Sequence, residues 1–104
     1  MMAPFNEWLA IVTYRDFYDV PRLILATDER AHFWILDNQF DDDADAYSPD
    51  YAVYFAGREA ESAQVAFARH AASGASTKDF AASVSLQQVE FNQTRRQKLL
   101  LRAP

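Results

Sequence analysis

The chain has 104 residues, of which 50% are hydrophobic and 14% aromatic, and its formal net charge at pH 7 is −5. This length and composition predict one domain, residues 1–104, with its own hydrophobic core, and they exclude a disordered tail. The sequence contains no cysteine, which excludes disulfide bonds, thiol catalysis and zinc–thiolate sites.

The charge is distributed unevenly along the chain. Residues 1–56 carry eleven carboxylates against three arginines, whereas residues 57–104 carry seven basic residues against four acidic ones. The two halves therefore have formal charges of −8 and +3. Such halves either pair with one another or leave a polar surface for a partner.

The N-terminal residues show neither the basic stretch nor the long apolar stretch of a signal peptide. The longest unbroken apolar run is the six residues Tyr51–Ala56, far shorter than the ~20 residues that a membrane helix needs. We therefore expect a cytoplasmic protein that does not bind membranes.

Four segments of the first half of the chain predict strands, because they are short and apolar on both parities, and the first of them is rich in β-branched and aromatic residues. They are Trp8–Tyr14, Arg22–Ala26, His32–Leu36 and Asp50–Ala56. Residues 16–21 predict a bend between the first two, since Pro21 lacks an amide donor. The short polar turn at residues 27–30 predicts an antiparallel hairpin between the second and third strands.

Residues 58–73 predict one amphipathic helix, because small and aromatic apolar residues recur there at three-to-four spacing. These residues are Ala60, Ala63, Phe67 and Ala71. Gly74 supplies the positive-φ residue that ends the helix. Residues 76–79 resemble a capping box that starts a short helical turn anchored by Phe80.

The last quarter of the chain predicts two further strands. Residues 84–91 are expected to form the first, with a bulge near residues 87 and 88 that keeps its apolar side chains on one face. Residues 92–96 predict a turn, and residues 97–102 the final strand.

Strands that are apolar on both parities must be covered on both faces. With one helix available, the sequence predicts an α+β fold of order ββββ-α-ββ, in which a strongly curved, mainly antiparallel and partly open barrel-like sheet packs against the helix. Two subunits packed sheet against sheet are the structural alternative.

Residues 40–50 concentrate five carboxylates between two apolar segments and predict a solvated loop. Clustered carboxylates can steer a basic partner, such as a nucleic-acid-binding protein or a nuclease, and the neighbouring aromatic rings can anchor it. The predicted protein-binding residues are Phe40, Asp41, Asp42, Asp43, Asp45, Tyr47 and Tyr51.

Alternate carboxylates in this loop have the spacing of calcium ligands, but the rest of the calcium-loop pattern is missing. Ala46 stands where that pattern has glycine, and Ala52 where it has a bidentate glutamate. We therefore predict no metal site.

The sequence offers no coherent catalytic set. Asp16 and Asp19 form a carboxylate pair that is more typical of turn capping, and His32 and His70 have no serine in a nucleophile elbow beside them. Glycine occurs only at positions 57 and 74, so no phosphate cradle and no nucleotide cofactor are predicted. The chain is therefore more typical of a non-enzymatic protein.

The basic residues Arg95, Arg96, Lys98 and Arg102 surround the last predicted turn without an interleaved aromatic platform. Because the whole chain is acidic, we expect no nucleic-acid binding. The cations are instead expected to be solvated or to pair with the acidic half of the chain.

Three functional hypotheses follow. The leading one is a protein-binding module that uses the acidic loop, and the second is a structural or regulatory homodimer. The third is a small ligand-binding or enzymatic barrel with an aromatic cavity near Asp16, Asp19 or His32. The aromatic residues considered for that cavity are Trp8, Tyr14, Tyr18, Trp34, Tyr51 and Tyr54.

Overall fold

The fold is built from nine strands and one α-helix within the part of the chain that the computed structural model describes, residues 2–74 and 79–103. The strands before the helix are β1 (Trp8–Tyr18), β2 (Val20–Thr27), β3 (Phe33–Asp37), β4 (Phe40–Asp41), β5 (Ala46–Tyr47) and β6 (Asp50–Gly57). The helix α1 (Ala60–Ser73) is followed by β7 (Phe80–Ser85), β8 (Val89–Phe91) and β9 (Lys98–Leu101).

Seven strands form one antiparallel sheet in the order β7-β6-β3-β2-β1-β9-β8, and β4 and β5 pair separately. The strands at the two ends of the large sheet, β7 and β8, are connected by only the three residues Leu86–Gln88. Such a short connection brings the two ends of the sheet near one another, so the sheet curls into an incomplete barrel. This confirms the predicted α+β fold with a strongly curved antiparallel sheet.

The two faces of the curled sheet carry separate hydrophobic clusters. Alternate residues of β2 and β3 point into the barrel, including Ile24 and Trp34, and pack with residues of β1, β6, β7 and β9. The intervening residues, including Leu25 and Ile35, pack outside the barrel against Phe67 of α1. For β2 and β3 the predicted coverage of both faces, by the barrel interior and by the helix, is therefore confirmed, whereas β1 leaves Trp8 and Val12 exposed on its outer face.

The predicted bend at residues 16–21 is wrong, because β1 continues to Tyr18 and β2 begins at Val20. Asp16 and Asp19 adopt positive φ angles of 58° and 65°, which short polar side chains tolerate better than bulky ones. Pro21 pairs with Phe17 inside the hairpin, so the chain reverses at Asp19 alone.

The helix begins at Ala60 and ends at Ser73, close to the predicted bounds. The Gly74 amide, at φ 84°, donates a hydrogen bond to the His70 carbonyl at the helix end. The buried face is formed by Ala63, Phe67 and His70; Ala60, which the pattern placed on that face, is exposed. No helix within residues 2–74 and 79–103 is both long enough and apolar enough to cross a membrane.

The segment after the helix differs from the prediction in two ways. Residues 76–78 of the predicted capping box lie outside the described residues, and Phe80 begins β7 with a half-exposed side chain instead of anchoring a helical turn. A 3₁₀ turn at Leu86–Gln88, with no bulge, separates β7 from β8. This turn moves the chain from one end of the sheet to the other, and the apolar residues on both sides of it still contact the barrel interior.

Candidate functional site

The acidic segment is a short hairpin, where a loop was predicted. Phe40 and Asp41 pair with Tyr47 and Ala46 as two-residue strands. Oδ1 of Asp41 accepts hydrogen bonds from the amides of Asp43 and Ala44 at 3.0 and 3.3 Å, which closes the turn. Every residue from Asp41 to Ala46 is exposed, so the carboxylates face solvent as predicted. We call residues 40–47 the acidic hairpin.

A buried asparagine fixes the base of the acidic hairpin to the barrel. Nδ2 of Asn38 donates to the carbonyl oxygens of Ser48 and Asp50 at 2.7 and 2.9 Å. Its Oδ1 accepts a hydrogen bond of 2.8 Å from Nη1 of Arg22. Because the Asn38 side chain is buried and all of these groups are paired, both ends of the hairpin are held against β2 and β6.

Three aromatic rings form a patch beside the carboxylates, which we call the aromatic patch: Tyr18, Phe40 and Tyr47. The Tyr47 ring centroid lies 5.1 Å from that of Phe40 and 5.9 Å from that of Tyr18. The guanidinium carbon of Arg22 lies 4.0 Å from the Tyr47 centroid. Phe40 and Tyr18 are 46% and 61% exposed, so their rings are available to a partner.

Two clefts adjoin the acidic hairpin. The first, about 670 Å³, is lined by five carboxylates together with Phe40 and Tyr54; we call it the acidic cleft. Its carboxylates are those of Asp37, Asp41, Asp42, Asp43 and Asp50. The second, about 520 Å³, contains Tyr18, Arg22, Tyr47 and His70 and shares Asp37, Gln39 and Phe40 with the first. Phe40 therefore borders both clefts.

Asp37 and His70 form a largely buried pair where the two clefts meet. Nε2 of His70 lies 2.7 Å from Oδ2 of Asp37, and the two side chains are 8% and 12% exposed. Nε2 of Gln39 donates to the same carboxylate oxygen at 3.2 Å. The Tyr54 ring packs edge-on against His70, and burial, together with the Asp37 charge, raises the pKa of Tyr54.

Tyr51 is the one predicted binding residue that the structure removes from this surface. Its side chain is fully buried in the barrel core, and its hydroxyl donates a hydrogen bond of 2.5 Å to the Pro21 carbonyl. Burial raises the pKa of Tyr51 well above its usual value, and the nearby Arg22 charge opposes that shift only in part. Tyr51 therefore stabilises the fold and cannot contact a partner.

Sequence reasoning missed Tyr18, His70 and Asp37 as members of this surface. Tyr18 lies on β1, and only the register of the β1–β2 hairpin brings it beside Tyr47. His70 was considered only as a catalytic candidate; it is buried and bonded to Asp37. The signal for His70 was its helical spacing, three residues after Phe67 and seven after Ala63, which places it on the buried face of the helix.

Of the remaining catalytic candidates of the sequence, Asp16 lines the second cleft with His70, whereas Asp19 and His32 line neither cleft. Asp16 and Asp19 are exposed in the β1–β2 hairpin. Nδ1 of His32 lies 3.8 Å from Oδ2 of Asp28, whose carboxylate also caps the turn before β3 and accepts a hydrogen bond from Nε1 of Trp34. The surroundings of His32 are therefore those of a stabilised turn. Among residues 2–74 and 79–103 no three His, Cys, Asp or Glu side chains are grouped to hold a metal ion.

The residues considered for an aromatic cavity are divided between the core and the surface. Trp34 and Tyr51 are fully buried inside the barrel, whereas Trp8 and Tyr18 are exposed. Tyr14 contacts the interior cluster and Tyr54 the helix-side cluster. These six side chains therefore do not line a common cavity.

The basic C-terminal turn contacts the β1–β2 hairpin. Nη1 of Arg95 donates to the Asp19 carbonyl at 2.8 Å, and the guanidinium carbon of Arg96 lies 4.0 Å from the Phe17 ring centroid. Arg102 pairs with Glu90. Three of the basic side chains in this region are thus engaged within the molecule.

Comparisons with protein-family models, with curated proteins and with solved structures gave no match. The chemistry of the surface itself is therefore the basis on which a function can be assigned.

Proposed function

We propose that this protein is a non-enzymatic binding module that holds a basic protein partner against the acidic hairpin and the aromatic patch. The observation that carries this proposal is the acidic cleft, in which five carboxylates lie beside the exposed ring of Phe40. Carboxylates accelerate the approach of a basic surface, and a desolvated aromatic ring supplies binding energy at the centre of an interface.

The attachment of the hairpin supports the same function. A flexible acidic loop would lose conformational entropy on binding, which reduces affinity. The hydrogen bonds of Asn38 and the stacking of Arg22 on Tyr47 hold this hairpin in place before a partner arrives. The partner therefore meets a preformed arrangement of charge and aromatic surface.

The charge of the surface restricts the class of partner. A nucleic acid or another polyanion would be repelled by the carboxylates of the acidic cleft. Arginine and lysine side chains suit both the acidic cleft and the aromatic patch, because they pair with carboxylates and their cations interact with aromatic faces. A basic nuclease or another nucleic-acid-binding protein has this chemistry, and we propose that class as the partner.

The test is capture of proteins from a lysate by the immobilised protein. We expect captured basic proteins to be lost when Asp42, Asp43 and Asp50 are changed to Asn, and also in Phe40→Ser. The matched control changes Glu29, Glu59 and Glu61 to Gln, which removes the same formal charge from exposed positions outside both clefts. Equal capture by the two triple variants would show that net charge alone explains binding and would refute the proposal.

Light scattering during size-exclusion chromatography separates this function from the homodimer hypothesis. An obligate homodimer elutes at twice the mass of the chain at micromolar concentration, and its mass does not change when Phe40 or the three aspartates are substituted. We expect a monomer that forms a larger complex only after a captured basic protein is added.

A further inference from the structure

We propose that the Asp37–His70 pair makes binding at the acidic cleft dependent on pH, so that protonation of His70 weakens the hold on a basic partner. The inference rests on the proposed function and specifies how the same site is regulated. Histidine is the side chain that ordinarily changes charge between roughly pH 5 and 8. In this molecule His70 lies where the two clefts meet and is bonded to Asp37, whose carboxylate lines both of them.

The contacts of the His70 ring determine how an additional proton changes the charge of the Asp37–His70 pair. Nε2 of His70 is occupied by Asp37 at 2.7 Å, and no side chain among the described residues hydrogen bonds to Nδ1. With the imidazole neutral, the pair has the single negative charge of Asp37. Protonation makes the pair neutral overall, so one of the five carboxylates of the acidic cleft no longer attracts a cation with its full charge.

The other charged and titratable groups around His70 do not cancel this change. Arg22 and Asp16 line the second cleft with it, and Arg69 and Asp79 line a smaller cavity on its other side. These are two cations and two carboxylates, so their formal charges offset one another. Tyr54, which contacts the imidazole ring, stays neutral in this pH range because burial and the Asp37 charge raise its pKa.

The direction of the effect follows from these charges. A basic partner prefers the cleft with His70 neutral, so affinity falls when a decrease in pH protonates His70. One unit charge about 3–6 Å from the bound cation, at the dielectric constant of bulk water that fills the open cleft, corresponds to about a three- to tenfold change in affinity. By thermodynamic linkage, a bound cation must also release protons from His70.

The test uses the intact protein and an oligo-arginine peptide as the probe, at constant low ionic strength. The affinity of the wild-type protein is measured between about pH 8 and pH 5.5, where ordinary carboxylates remain charged. We expect a three- to tenfold weakening across this range. His70→Gln, which retains a donor for Asp37 but has no titratable ring, should bind with nearly constant affinity.

His32→Gln is the matched control, because His32 lines neither cleft and its loss should leave the pH profile unchanged. Calorimetry of the wild-type protein in two buffers of different ionisation enthalpy gives a second measurement that needs no variant. At a pH where His70 is partly protonated, probe binding should release a fraction of one proton, and NMR should show the change at the His70 ring and not at that of His32.

Two outcomes distinguish failure of the proposed function from failure of the pH inference. If the peptide does not bind at pH 8, or binds equally after Asp42, Asp43 and Asp50 are changed to Asn, the proposed function fails. If it binds through those residues with the same pH profile in His70→Gln and releases no proton, the function stands and the pH inference is refuted.

Discussion

The barrel interior and the acidic hairpin differ in what holds them in place. Inside the barrel, Trp34 and Tyr51 are fully buried, and burial of apolar surface supplies most of the stabilisation. The hairpin has no core of its own, because residues 41–46 are all exposed. It is fixed at its base by the hydrogen bonds of Asn38 and by the stacking of Arg22 on Tyr47. A segment that presents charge to solvent thus depends on a small buried polar network for its shape.

The largest loss of stability is expected for Trp34→Ala, which leaves a cavity in the barrel interior and removes the hydrogen bond from Nε1 to Asp28. We expect the free energy of unfolding to fall by about 3–5 kcal/mol, measured by urea denaturation. Trp8→Ala is the control, because Trp8 is 44% exposed, and its loss should be clearly smaller. Equal losses from the two substitutions would show that the interior is not the main source of stability.

The next largest effect is expected for Asn38→Ala, which leaves the carbonyl oxygens of Ser48 and Asp50 without their donor. We expect the free energy of unfolding to fall by about 2 kcal/mol. Amide hydrogen exchange should accelerate in residues 40–47 more than in β2 or β3, because the hairpin loses its attachment while the barrel keeps its core. Uniform acceleration throughout the sheet would contradict the separation of the two regions.

Tyr51→Phe removes only the hydroxyl that donates to the Pro21 carbonyl, and we expect a loss of about 1 kcal/mol at neutral pH. The variant should also change the alkaline limb of the stability curve. Because burial raises the pKa of Tyr51, above about pH 10 the unfolded chain loses a proton that the folded chain keeps, and stability falls as the pH increases. Tyr51→Phe removes that part of the decline.

The control for the alkaline measurement is Tyr18→Phe, since Tyr18 is largely exposed. This variant should retain the decline of the wild-type protein. Tyr54, whose pKa is also raised by burial and by Asp37, contributes in the same direction, so some alkaline loss should remain in Tyr51→Phe. An unchanged decline in that variant would contradict the role assigned to the Tyr51 hydroxyl.

The smallest effect on stability is expected when Asp42 and Asp43 are both changed to Asn. Both side chains are exposed, so the free energy of unfolding should change by less than about 0.5 kcal/mol. Because the substitutions remove repulsion between like charges, we expect any change to be a slight increase in the free energy of unfolding. A large loss would show that these carboxylates have a structural role, which would weaken the argument that they serve a partner.

Much of the candidate surface could be predicted because it is continuous in the sequence. Phe40, the four clustered aspartates and Tyr47 lie within eight consecutive positions, and such a charged segment must remain in solvent. Tyr51 was placed wrongly because it comes only one residue into β6. A tyrosine at the start of a strand can face either side, and a hydroxyl that finds a buried acceptor makes the inward position favourable.

The sequence alone determined that the chain forms apolar strands, one helix and an exposed acidic segment. Each of these follows from local composition and periodicity, since an apolar side chain on either face of a strand must leave water. Only the tertiary structure decided that Tyr18 lies beside Tyr47 and that His70 bonds to Asp37. Those pairs join distant parts of the chain, and their contacts depend on strand register and on the position of the helix, which no local pattern specifies.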